Sequence, residues 1–251
     1  MSRQARKYAE SGIYHVMLRG INQQAIFEDD QDRQQFLQIL QDCRARSAFQ
    51  LYAYCLMGNH VHLLLRIYGE GLETVFKRIG GRYVYWYNMK YQRVGHLFQD
   101  RFKSEPVDSD NYFVMVLRYI HLNPVKAKLC KHPEDYRWSS YLDYLESNSQ
   151  VDYDFALGMM ALEEFKRYHN QANEDKCLEM SEPIRRGMTD EQARVLLKRY
   201  GHSSSVAEFQ MLDEKRQVKA IQQTHAKGAS IRQLSRLTGV SKGVVERWIK
   251  K

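Results

Sequence analysis

The chain has 251 residues and a formal net charge of +8, enough length for one large domain or for a core domain with a smaller one. No stretch approaches the roughly 20 apolar residues of a membrane span, and the charged opening residues lead into no apolar signal region, which argues against a membrane or secreted protein. Cys43, Cys55, Cys130 and Cys177 are too scattered for a zinc knuckle or a disulfide framework, so a reduced, cytoplasmic protein is expected. The charge falls in blocks. Residues 1–133 carry 19 Lys/Arg against 12 Asp/Glu, residues 134–180 carry 4 against 11, and residues 181–251 carry 15 against 7. Basic, acidic, basic is the layout of two polyanion-binding units joined by a segment that binds none, and nucleic acid is the expected partner.

Taken in order, residues 12–20 read as a first strand stopped by Gly12 and Gly20. Asp29 or Asp30 then caps a helix with Phe36, Leu37 and Leu40 at helical spacing. A second strand, residues 49–56, turns at Met57-Gly58-Asn59 into a third that holds His60-Val61-His62. Gly71-Leu72 opens a helix reaching Tyr91, residues 95–104 lead into a fourth strand ended by Pro106, and Asp108, Ser109 or Asp110 caps a last helix. Pro124 should stop that helix, because the residue before proline avoids the helical region. This order implies an α+β domain with a mainly antiparallel sheet and helices on one face.

The chemistry concentrates in two places. Side chains alternate along a strand, so His60 and His62 share a face with their Cα atoms roughly 6.5–7 Å apart, close enough to converge on one cation. Tyr119 and Asn123, four residues apart, share a helix face about 6 Å along the axis. Two imidazoles, an amide oxygen and a neighbouring phenol make a candidate metal site with a nucleophile beside it. Around these lie cations suited to a DNA strand: Arg19, Arg101 and Lys103. Tyr83, Tyr85, Trp86, Tyr87 and Tyr91 interleave with Arg82, Lys90 and Arg93 and offer either base stacking or core packing.

Several motifs come in a fixed order: Tyr14-His15-Val16 with Arg19-Gly20, Cys55-Leu56-Met57-Gly58-Asn59-His60-Val61-His62, residues 95–104, Tyr119 through Ala127, and Trp138-Ser139-Ser140-Tyr141. In this order the chain resembles the REP-associated tyrosine transposases, a branch of the single-tyrosine HUH transposases, over about residues 12–141. The resemblance implies a ferredoxin-like sheet. It also implies a divalent metal, Mg²⁺ or Mn²⁺, on His60 and His62, and Tyr119 as the nucleophile for single-stranded DNA. Relatives in the wider group often place glutamine four residues after the tyrosine as a third ligand; here the position is Asn123, one methylene shorter. Some relatives are dimers that exchange the tyrosine helix and others act alone, so monomer and homodimer both remain open.

Residues 230–250 have the register of a helix-turn-helix. Ser235 permits close helix approach, Gly239 makes the turn, and Leu234, Val240, Val245 and Trp248 fill the angle between the helices. Ser241, Lys242 and Arg247 would then face duplex DNA. The expected organisation is a catalytic domain over 1–145, an acidic connecting segment over 146–180 and a basic helical domain over 181–251, with a boundary at Glu182-Pro183-Ile184. The expected function is a metal-dependent transposase that cleaves and rejoins single-stranded DNA at palindromic, REP-like hairpins through a 5′-phosphotyrosine, working on the nucleoid in the cytoplasm. The alternative is an inert DNA-binding regulator that acts through residues 230–250.

Overall fold

Strands form where the sequence alternates and end where glycine or proline interrupts it. β1 (Ile13–Arg19), β2 (Gln50–Met57), β3 (His60–Arg66) and β4 (Lys103–Pro106) make a four-stranded sheet in the order β2-β3-β1-β4, with every neighbour antiparallel. The computed structural model describes residues 7–99, 101–147, 150–171, 175, 177–178, 188, 190–203 and 206–250. α1 (Asp30–Ser47) connects β1 to β2, α2 (Leu72–Lys90) connects β3 to β4, and α3 (Asp110–Lys126) follows β4. This is the ferredoxin-like α+β fold expected from the sequence, but its helices lie on both faces of the sheet rather than on one, because α3 covers the face that α1 and α2 leave open. Gly20 ends β1 because nothing larger fits: a Cβ there would lie 2.2 Å from the Gln24 carbonyl oxygen.

Asp29 caps α1. Its side chain accepts from the Asp32 N–H while Asp32 accepts in return from the Asp29 N–H, which satisfies two orphan donors at once. Asp32 is fully buried and is neutralised by Lys90 at 2.8 Å, with the Tyr91 hydroxyl donating to it. The start of α1 is thereby tied to the end of α2. Phe36 of α1 packs edge-on against Tyr83 of α2.

Pairing across the sheet puts His60, His62, Leu64, His15, Met17, Lys103 and Glu105 on one face, and Val16, Leu18, Val61, Leu63 and Ser104 on the other. α3 lies over the imidazole face, where the Tyr119 ring meets His15 and His62. Val16, Val61 and Leu63 on the opposite face are completely buried, so that face is covered too, by the paired crossover helices α1 and α2.

Two further expectations are corrected. Pro124 does not stop α3, which runs to Lys126 with the proline inside it. A proline this close to the helix end removes one intrahelical bond, and the turn still closes through Ala127 N–H to Asn123 O and Leu129 N–H to Pro124 O, each 2.9 Å. Asn123 therefore stays helical and in line with Tyr119. The acidic segment expected to connect two domains, residues 146–180, belongs instead to the first compact unit almost to its end. α4 (Tyr141–Leu145), α5 (Tyr153–Leu157) and α6 (Leu162–Asn170) pack on the same core as the sheet, with Phe165 stacked on Tyr144 and Phe155 on Tyr52. The chain accordingly divides into two compact units, Met1–Glu179 and Met180–Lys251. The boundary expected at Glu182-Pro183-Ile184 lies outside the described residues.

The second unit is helical: α7 (Asp190–Gly201), α8 (Val206–Gln210), α9 (Glu214–Ala226), α10 (Ile231–Thr238) and α11 (Lys242–Lys250). Its own core contains Ala193, Leu197, Phe209, Ile221, Leu234, Val245 and Trp248. α10 ends at Gly239, whose φ of 70° is the left-handed conformation glycine adopts freely. The Ser235 hydroxyl donates to the Val240 carbonyl at 2.7 Å and closes the turn into α11. At its start, Ser230 and Gln233 exchange side-chain and backbone hydrogen bonds. Ser230→Ala should cost the second unit about 1 kcal/mol in denaturant unfolding and leave the first unit unchanged; equal loss in both units would contradict their independent cores. Among the described residues no helix is long and apolar enough to cross a membrane.

Candidate active site

The hairpin of β2 and β3 presents His60 and His62 on the face under α3. Their ring centroids are 5.1 Å apart and nearly perpendicular. α3 delivers Tyr119 and Asn123 from above. The Tyr119 ring sits 5.6 Å from His62, and the Asn123 side chain hydrogen-bonds His60. Residues that are distant in sequence, on a strand and on a helix, thus meet in one chain. Tyr119 is held as well as placed: it is 5 % exposed, and the Lys126 ammonium lies 4.8 Å over its ring.

Both imidazoles are set up as neutral bases. Burial drives His60 down to about 4, opposed by the Asn123 hydrogen bond and reinforced by the charge of Arg19. Burial holds His62 well below the ordinary histidine value, and the nearby His15 and His60 act in the same direction. A neutral imidazole is the form that binds a cation. The Asn59 amide oxygen lies 2.7 Å from His60 Nδ1 and can only accept, so Nδ1 carries the proton and Nε2 keeps a lone pair. Among the described residues no three His, Cys, Asp or Glu side chains are grouped to hold a metal. Asn123, which shares this site, carries an amide oxygen. Two neutral imidazoles and a neutral amide oxygen are donors of the kind a divalent ion accepts.

Arg19 stands across the β1–β3 ladder from His60. Its Nε is buried with no hydrogen-bond partner, a costly state that an incoming phosphate oxygen would relieve. Lys103 is exposed and shares the imidazole face, paired with Met17. Arg101 is exposed beside Glu73 at 3.1 Å and lies outside the strands. Of the aromatic run on α2, Tyr83 and Tyr87 are buried in the core while Tyr85 is exposed. Arg82 and Lys90 are engaged by Asp42 and by Asp29 and Asp32. That run is mainly packing. Ser241, Lys242 and Arg247 are all exposed in the second unit, with Lys242 3.4 Å from Glu246.

Sequence reasoning missed two members of the cluster. His15, completely buried, places Nε2 2.9 Å from His62 Nδ1, and its Nδ1 lies 2.7 Å from Glu105. Burial raises the Glu105 carboxyl, but hydrogen bonds from His15, the Leu178 backbone and Tyr112 outweigh it and leave the group below its ordinary value. No motif joins His15 to Glu105; what joins them is the register of β1 against β4.

Residues 8–123 match the family model described as "Transposase IS200 like". Among solved structures, a REP-associated tyrosine transposase bound to a REP hairpin is 17 % identical, with a TM-score of 0.54 over 73 % of this chain and 99 % of that one. At that identity the likeness shows a shared fold. A candidate transposase from Deinococcus radiodurans is 20 % identical, with a TM-score of 0.34 over 47 % of this chain and 95 % of that one. Among curated proteins nothing matches the sequence.

Proposed function

We propose, starting from the chain's membership of the IS200-like transposase family through residues 8–123, that the first unit cleaves and rejoins single-stranded DNA at palindromic hairpins with Tyr119 as its nucleophile. The observation that carries this reading is the Tyr119 ring 5.6 Å from the His62 imidazole within one chain. The hairpin substrate is supported by the similar fold that is bound to a REP hairpin.

In the proposed step the Tyr119 oxygen bonds to phosphorus as the bond from phosphorus to the 3′ oxygen breaks. The phenolic proton is lost to solvent and the departing 3′ oxygen gains one. One phosphoester replaces another, so the reverse attack by a 3′-hydroxyl can join a strand without ATP. An ordinary phenol is ionised only about one part in a thousand at pH 7, an unfavourable step of about 4 kcal/mol. When bound by His60, His62 and Asn123, Mg²⁺ or Mn²⁺ would supply Lewis-acid stabilisation of the charge at the phosphate, worth several kcal/mol. Arg19 would accept the phosphate beside His60, and Arg101 and Lys103 would track the strand. In the proposed site the imidazoles and the phenol come from one chain, an arrangement with which a monomer could make one cleavage; monomer and homodimer both stay open.

The second unit is proposed to bind duplex DNA by a helix-turn-helix formed by α10 and α11, with Ser241, Lys242 and Arg247 facing the groove. The protein would then work on DNA in the bacterial cytoplasm. The test is a covalent adduct. Full-length protein with labelled single-stranded hairpin DNA and Mn²⁺ should give a species that survives denaturation, is lost with EDTA, and maps by mass spectrometry to a nucleotide on Tyr119. Absence of any adduct, with duplex binding retained, would instead favour a regulator acting through the second unit.

A further inference from the structure

Behind His62 lies a line of groups that runs across three strands, from Glu105 on β4 through His15 on β1 to His62 on β3. We propose that Glu105 and His15 are positioning residues that fix the proton of His62 on Nδ1 and so present its Nε2 lone pair to a divalent cation. This rests on the reading of His60 and His62 as ligands.

The argument is one of donors and acceptors. An ionised carboxylate can only accept, so the 2.7 Å contact of Glu105 Oε1 requires the proton of His15 to sit on Nδ1. A neutral ring protonated there has a bare Nε2. That nitrogen is 2.9 Å from His62 Nδ1 and accepts its N–H. His62 then has no proton on Nε2, the form needed for ligation. The opposite arrangement, with His15 donating to His62, would leave the His62 proton on Nε2 and block it. Glu105 is itself fixed: the Leu178 N–H donates to the same oxygen at 2.8 Å and the Tyr112 hydroxyl is hydrogen-bonded to the carboxylate. His15 is completely buried and His62 is 2 % exposed, so water does not compete for these contacts. β1 is central in the sheet and pairs His15 with Glu105 on one side and Leu64 on the other, which sets His62 diagonal to it. Outer groups of this kind typically change metal affinity by about 10–100-fold.

Two measurements test the relay, both on the full chain. In metal-free, ¹⁵N-histidine-labelled wild-type protein, long-range ¹⁵N–¹H spectra should show His62 protonated on Nδ1 and bare on Nε2; this reading requires no variant to fold. In Mn²⁺ titrations followed by the EPR signal of the free ion, His15→Phe should bind about 10–100-fold more weakly. Glu105→Gln should fall between that variant and wild type. His15→Gln, whose amide oxygen can still accept from His62, should recover part of the loss. A His62 proton on Nε2, or wild-type affinity in folded His15→Phe, overturns the proposal. Wild-type protein that binds Mn²⁺ no better than His62→Ala removes the ligand assignment itself, and the relay with it.

Discussion

Replacing Tyr119 with phenylalanine should abolish the covalent protein–DNA adduct, by about 10³-fold or more, and should change little else. The substitution removes one hydroxyl and no ring. The aromatic contacts at 5.9 Å to His15 and 5.6 Å to His62, and the Lys126 ammonium over the ring, do not depend on the oxygen. Melting temperature should fall by no more than a few °C, since the ring packing is kept and at most one hydroxyl hydrogen bond is lost, worth about 0.5–1.5 kcal/mol. Hairpin affinity should stay within about threefold, because cations at phosphates carry most of such binding. Separating the two readouts is the point of the experiment. Lost adduct with intact hairpin binding assigns the hydroxyl to chemistry. Lost adduct with lost binding would make Tyr119 a recognition residue, and an adduct that persists in the variant would move the linkage to another side chain.

How much of this was legible in the sequence depends on the range over which each signal acts. Alternation is local, and it put His60 and His62 on one strand face; the i, i+4 spacing is local, and it put Tyr119 above Asn123. That the two pairs meet is a property of the strand order β2-β3-β1-β4 and of the path of α3 across it, which only the fold supplies. The same holds for His15 and Glu105, whose partnership is a matter of register between β1 and β4. The preference of Asn123 for extended backbone before Pro124 was a sound local rule that lost to tertiary packing. α3 buries Val116, Tyr119 and Ile120 along one face, and continuing for another turn costs one hydrogen bond. Within the acidic segment, residues 146–180, the short helices expected near residues 155–168 are local signals, but that Phe155 and Phe165 dock on the sheet's core is a tertiary fact that charge counting does not give. Net charge bears on partners and solubility and says little about what packs where.

Lowering the pH of metal-free protein from 7.5 to 5 should destabilise the first unit by at least about 2 kcal/mol, through histidines buried without charge. His169 is the clearest source. It is 3 % exposed, its Nδ1 is 2.8 Å from the Phe165 carbonyl, and its Nε2 is 3.0 Å from His121 Nδ1. Burial pulls it down to about 4, against the Phe165 hydrogen bond and helped by the charge of Arg118. The unfolded chain takes up a proton near pH 6.5 and the folded chain only near 4. The associated stability is therefore complete above about 6.5 and is lost as the pH falls toward 4, about 2 kcal/mol of it by pH 5. His60, half-buried and also near 4, adds a smaller loss, and the fully buried His62 and His121 act with the same sign. Asp143 opposes them: burial raises it to about 6, so it gains its proton in the folded state first and returns about 1 kcal/mol over this interval. Denaturant unfolding followed by Trp86 and Trp138 fluorescence, with Trp248→Phe silencing the second unit, reads the change directly. His169→Gln, whose amide can donate to Phe165 and accept from His121, should shrink the acid loss by about 2 kcal/mol. Stability that stays level or rises on acidification, or a His169→Gln protein as acid-sensitive as its parent, would show that these imidazoles are not what limits folding below pH 6.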